Sequence, residues 1–165
     1  MVARAGSVDS RHAPWSDLAA AAPEIAAAGQ RLLFPESTGY AFIGTVRKDG
    51  GPRLHPICPV LCAGRLYAFI VDMGYKYRDL LRDPRYALHA LPPPAGGEEF
   101  YLTGTAQPIA DAGIRARVVA ETGGRQGSQP FEALFELSIQ RVLHTRWENW
   151  GTAETWPTFS KWPAP

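Results

Sequence analysis

Charge of one sign is missing from this sequence. Its 165 residues carry 17 Lys and Arg against 16 Asp and Glu, a formal net charge of +1. That near balance removes the basic footprint by which proteins hold nucleic-acid phosphates. Long apolar runs are missing too, and nothing approaches the roughly 20 residues of a bilayer-crossing helix. The alanine-rich stretch from Ala19 to Ala28 is interrupted by Pro23 and Glu24, so it suits neither a span nor a secretory leader. The expectation is a cytoplasmic protein, with neither nucleic acid nor membrane as partner.

Cysteine is scarce. Cys58 and Cys62 are the two present, four apart in Ile57-Cys58-Pro59-Val60-Leu61-Cys62. Read as extended chain, they stand about 13 Å apart, whereas bridged Cα atoms lie roughly 4.4–6.8 Å apart. No internal disulfide is expected, and no second Cys/His pair stands at zinc-ligand spacing. Nucleophile-elbow, Walker and Rossmann signatures are absent, and Gly123-Gly124 falls in a linker rather than between a strand and a helix. His12, His55, His89 and His144 are scattered, and a lone strand histidine reads first as a hydrogen-bonded structural residue. No catalytic acid, base or nucleophile stands out.

What is present is ordinary globular material, 45% hydrophobic and 20% charged, at a length that fits one domain. Residues 1–15 read as a mobile tail. Ser16 or Asp17 can cap a helix from Leu18, and Pro23 suits the first turn of a second, Pro23 to Leu33. A β pattern follows. Tyr40 to Arg47, Arg53 to Cys62, Leu66 to Asp72, Tyr86 to Leu91, Glu99 to Gln107 and Phe135 to Thr145 read as strands. Lys48-Asp49-Gly50-Gly51 joins the first two as a hairpin turn. Short helices are expected over Tyr75 to Arg82 and from an Asp111 cap to about Glu121. Short spacing with little intervening helix favours a mainly β, α+β fold: a six-stranded antiparallel split β-barrel with a few flanking helices. The domain is assigned to residues 16–146, and residues 147–165 to a Trp-rich tail packed on the barrel or on a partner subunit. In that tail Trp147, Trp150, Trp156, Phe159 and Trp162 recur among glycines and prolines, so the rings cover a barrel, a partner or a planar ligand rather than a regular helix.

One segment points to chemistry. Gly74-Tyr75-Lys76-Tyr77-Arg78-Asp79 lies where a strand ends and a helix starts. Free backbone N–H groups at a helix start favour anions, and Lys76 and Arg78 add positive charge beside them. Arg53 and His55, on the returning hairpin strand, can converge on the same anion, a phosphate monoester in size. The competing reading is a solvated basic helix whose charges pair with Asp79 and Asp83.

These motifs also carry a resemblance. Thr45-Val46-Arg47-Lys48-Asp49-Gly50-Gly51-Pro52-Arg53-Leu54-His55-Pro56 looks like the first hairpin of the pyridoxamine 5′-phosphate oxidase-like, FMN-binding split-barrel family. The match continues through Gly64-Arg65-Leu66-Tyr67, Lys76-Tyr77-Arg78-Asp79-Leu80, Arg82 to Leu88 and Leu102 to Ala106, covering about residues 32 to 145. The resemblance implies a homodimer with FMN at the subunit interface, a deazaflavin coenzyme being the alternative. It makes Lys76 the grip on the cofactor phosphate and Arg78 its assistant. His55 stands where the oxidase carries an arginine, with Arg53 two residues before it, read as one face away, to compensate, and Tyr75 replaces a basic residue. Pro56, Ile57 and Cys58, on the run to Val60, would lie along the flavin ring; Thr45 and Met73 would wall it, and Trp162 would stack over it. The oxidase's C-terminal Arg and His pair is not recognisable. The expected function is therefore hydride transfer between flavin and a small conjugated substrate, not pyridoxamine phosphate oxidation. Other branches of this fold use a deazaflavin or bind haem, and a non-catalytic flavin-binding carrier, sensor or scaffold is the alternative to an enzyme.

Overall fold

The computed structural model describes residues 12–163. The mobile-tail reading thus falls largely outside the described residues, but Ala13 already bridges Ile139 and Trp15 is buried. Helix α1 (Trp15–Ala21) starts earlier than its sequence signals suggest. It follows Pro14 without a side-chain cap, so neither Ser16 nor Asp17 plays that role. Helix α2 (Pro23–Leu33) has its proline in the first turn and buries Ile25, Ala26, Ala28, Gly29, Leu32 and Leu33. That spacing is one face of a helix. Its small residues let it sit close to the sheet, since a Cβ on Gly29 would lie 2.3 Å from the Phe100 ring.

Strand β1 (Ala41–Val46) buries Ala41, Ile43 and Thr45 and turns Phe42 outward, which settles which face is interior. Beyond the hairpin turn the chain corrects the sequence reading. The single return strand expected over Arg53 to Cys62 is two strands, β2 (Pro52–Ile57) and β3 (Pro59–Cys62). Then come β4 (Arg65–Val71), α3 (Tyr75–Arg82), β5 (Arg85–Ala90), β6 (Glu98–Ile109), α4 (Ala112–Glu121), β7 (Glu132–Glu148) and β8 (Trp156–Trp162). Asp111 does cap α4, accepting from the Ile114 N–H at 2.8 Å.

Among the described residues the sheet therefore has eight strands, not six, in the order β2-β1-β5-β6-β7-β4-β3, with β8 beside β7. Strands β2 and β3 are the two ends of that path, yet Cys58 alone joins them. A one-residue link between the ends forces the sheet to curl round until they meet. The result is a split barrel, antiparallel at every pairing.

The second correction concerns the tail. It supplies β8, which pairs with the C-terminal part of β7 while the N-terminal part pairs with β4. An edge strand tolerates Pro157, because a missing donor costs little there. Trp162 joins the main core with Leu88, Phe100, Leu102, Phe135 and Ile139. Burial of such side chains stabilises by roughly 1.5–3 kcal/mol each. Among the described residues no helix is long and apolar enough to cross a membrane.

Candidate functional site

The seam where β2 passes into β3 is also where α3 docks. Antiparallel register sets Thr45 opposite Arg53 and Ile43 opposite His55, so Arg53 and His55 share the inner face of β2. One helical carboxylate then organises the group. Asp79 is buried and accepts from Thr45 Oγ1 at 3.0 Å, Arg53 Nε at 2.8 Å and Arg82 at 3.1 Å. Burial alone would raise its pKa, but the donors from Arg53, Arg82 and Thr45 outweigh it and hold the carboxyl below its ordinary value. The Arg53 guanidinium lies 4.7 Å from the Tyr75 ring centroid, and that of Arg78 lies 6.0 Å from the same ring.

Lys76 reaches across the seam. Its Nζ donates to the Pro56 carbonyl at 3.0 Å. Burial pushes its ammonium below the usual lysine value, with the Cys58 sulfur pulling the other way. Beside it, His55 is pushed down by burial and by the charges of Lys76 and Arg53, while Asp79 opposes them. The His55 Nε2 is buried and has no hydrogen-bond partner among the described residues. Neutral imidazole carries one N–H and one bare nitrogen, so a buried unpartnered ring atom is an unfilled hydrogen-bonding position.

Lys76 opens onto a cavity of about 430 Å³ lined also by Pro56, Ile57 and Cys58, with Tyr40, Phe42, Phe69 and Leu91 as apolar walls. Of the residues singled out in the sequence, the structure brings Lys76, Pro56, Ile57 and Cys58 together here and sets Arg53 and His55 behind them. Arg78 is exposed and lies against Tyr75. The other three do not join this cavity. Thr45 is buried with its hydroxyl committed to Asp79, Met73 is 67% exposed ahead of α3, and Trp162 lines a different cavity on β8. Both cysteines are free.

Sequence reasoning missed Asp79 as the hub and Tyr40, Phe42, Phe69 and Leu91 as walls. Thr45 and Arg53 face each other across a recognisable hairpin turn, and that pairing was the available signal for a shared partner.

A sheet curled until its ends meet, with a helix closing the seam, defines a split barrel of the pyridoxamine 5′-phosphate oxidase-like kind. The chain belongs to the pyridoxamine 5′-phosphate oxidase family, whose model matches residues 27–146. No curated protein matches the chain. Among solved structures it is similar to a heme binding protein from Mycobacterium smegmatis, 20% identical over 80% of this chain and 57% of that one, with a TM-score of 0.58. HutZ, the heme storage protein from Vibrio cholerae, is 17% identical over 72% of this chain and 89% of its own, with a TM-score of 0.57. General Stress Protein 26 from Bacillus anthracis is 14% identical over 68% of this chain and 87% of its own, with a TM-score of 0.55. At these identities the likeness is one of fold.

Proposed function

We propose that the chain is an FMN-binding oxidoreductase that moves a hydride between the flavin ring and a small conjugated substrate, and that it does not oxidise pyridoxamine phosphate. The observation that carries this reading is Lys76, tied to the Pro56 carbonyl and lining an apolar cavity with Pro56, Ile57 and Cys58, with the buried His55 Nε2 unpartnered behind it among the described residues. A phosphate at the cavity mouth would meet Lys76, and Arg78, with no carboxylate partner among the described residues, stands within the same helical turn. The residues therefore fit an anionic cofactor head, with Lys76 and Arg78 holding the phosphate, His55 behind them and Arg53 tied to Asp79. The Pro56–Cys58 segment would lie along the ring, and the apolar walls would exclude water. Bound flavin supplies the hydride chemistry, so the chain needs no acid–base pair of its own. A deazaflavin with a phosphate in the same place would use the same grip.

FMN titration followed by flavin fluorescence tests the proposal. Saturable quenching is expected, and Lys76→Ala should weaken binding about 10- to 100-fold, the loss of a charge-assisted contact of about 1.5–3 kcal/mol. Binding unchanged by that substitution would remove Lys76 from the site. A spectrum of the purified protein separates flavin from haem, the group named for two of the similar structures. A non-catalytic carrier would bind FMN and turn nothing over.

A homodimer belongs to this reading. Tyr40, Phe42, Leu54 and Leu91 remain exposed around the seam, an apolar surface of the kind that partner subunits cover. Sedimentation equilibrium should return twice the chain mass of 18.0 kDa. A single-chain mass at micromolar concentration would refute the dimer.

A further inference from the structure

Alternation along β4 sends Leu66, Ala68 and Ile70 into the main core and Tyr67 and Phe69 to the other face. Helix α4 covers that second face, where Val118 packs with Val60, Cys62, Tyr67 and Leu134. Phe69 packs against this smaller cluster and also lines the Lys76 cavity. It is a wall that α4 and the candidate site share. Beyond α4 the chain doubles back to β7 through residues 122–131, and the side chains of Gln126 and Glu132 line the same cavity. One guanidinium ties this return segment down. Arg115 of α4 donates to the carbonyls of Gly127 at 2.7 Å, Gln129 at 3.1 Å and Glu132 at 2.6 Å. The same group lies 5.3 Å from the Phe69 ring centroid. At Gly127, with φ +76°, the backbone rests on that ring, and a Cβ there would lie 2.2 Å from it. A planar fork of N–H donors can meet several carbonyls at once, which the point charge of an ammonium does not reproduce.

We propose that Arg115 is a positioning residue for the Lys76 cavity: without lining it, it holds Phe69, Gln126 and Glu132 in place as one of its walls. Three carbonyls and a ring are fixed by one side chain, so the return segment is ordered before a ligand arrives. Binding then spends none of its free energy on ordering that wall. The effect on cofactor affinity rests on the flavin reading of this cavity. The clamp itself does not, because every contact in it lies within the chain.

The test compares the full wild-type chain with Arg115→Gln by two readouts. The first needs no cofactor: alkylation of each thiol by iodoacetamide, followed by mass spectrometry. Cys58 lines the cavity and Cys62 lies under α4, so one reports the wall and the other whether α4 stays seated. Arg115→Gln should speed Cys58 labelling at least fivefold and leave Cys62 protected. The second is FMN titration, in which the variant should lose at least tenfold in affinity. In Arg115→Ala, added methylguanidinium should restore binding and methylammonium at the same concentration should not, since the carbonyls engage the fork and not the charge alone. Gly29→Ala, which disturbs packing against Phe100 away from α4, should change neither readout. Unchanged Cys58 labelling in Arg115→Gln overturns the proposal, as does unchanged affinity where the wild type binds FMN. So does Cys62 labelling at the same raised rate, which would make Arg115 a staple for α4, and so does equal rescue by the two cations or an equal response of Gly29→Ala. If the wild type does not bind FMN, the flavin reading fails, and thiol labelling still decides for or against the clamp.

Discussion

Asp79 binds three donors from two strands and its own helix, so its removal is felt at each of them. Thr45, Arg53 and Arg82 would each lose a partner in Asp79→Ala, with Thr45 fully enclosed and Arg53 mostly so. Breaking a buried ion pair from one side costs about 3–5 kcal/mol. In a chain of this size the thermal midpoint should fall by at least about 6 °C. The pH dependence has a definite sign. The folded carboxyl titrates below its ordinary value, so its contribution is fully present above about pH 4 and is lost as pH falls through the lower folded value. The urea-midpoint gap between wild type and Asp79→Ala should therefore be full at pH 6 and close progressively below pH 4. A gap constant across that range would mean that Asp79 acts through packing rather than charge. From the sequence, Asp79 reads only as one of two acids beside a basic helix. Its burial depends on α3 crossing the hairpin, a long-range fact that local pattern does not carry. Lys76 was legible because a cation at a helix start is a local feature.

At the level of elements, the hairpin, α2, α3 and α4 follow the sequence signals closely, since turn glycines, a first-turn proline and an Asp cap act within a few residues. The break at Cys58 was not legible. Pro56 to Cys62 holds no Gly, Asn, Asp or Ser; Pro59 directly after Cys58 reads equally as an edge or bulge residue within one strand, and the change of neighbours, β1 for β2 and β4 for β3, is what separates the two. Strand β8 was hidden for the opposite reason. Its proline, Pro157, speaks against a central strand, and its partner β7 is fixed by tertiary pairing. The packing of α2 offers a check at this scale. Alanine ordinarily favours a helix over glycine by about 1 kcal/mol, but at Gly29 the added methyl would enter the ring of Phe100, which is fully buried. Overpacking costs about 1–3 kcal/mol, so Gly29→Ala should lower the thermal midpoint despite its higher helix propensity. A raised midpoint would show that α2 can lift from β6 freely.

For the molecule as a whole, the seam links closure of the barrel to the candidate site. The path of strands ends at β2 on one side and β3 on the other, and Cys58 holds those ends one residue apart. The same residue lines the Lys76 cavity together with Pro56 and Ile57, and Lys76 is tied to the Pro56 carbonyl across the gap. Stability and site geometry respond differently to a longer link. Lengthening a loop is cheap, about 0.6 kcal/mol for each doubling, and the ladders on either side, β1 with β2 and β3 with β4, do not pass through Cys58. The cavity, in contrast, depends on the distance between the two ends. Two glycines inserted after Cys58 lengthen the link by about 1.6 doublings, a cost of about 1 kcal/mol, and should therefore shift the thermal midpoint by only about 2–4 °C, at about 2–4 °C per kcal/mol in chains of this size. The same insertion should weaken FMN binding at least tenfold, since small displacements of positioning groups are costly in a preorganised site. Differential scanning fluorimetry and FMN titration on one preparation read the two effects side by side. If the midpoint collapses and binding is lost with it, the one-residue link is a structural staple. If both persist, the site does not depend on the seam, and the cofactor grip must be assigned to α3 alone.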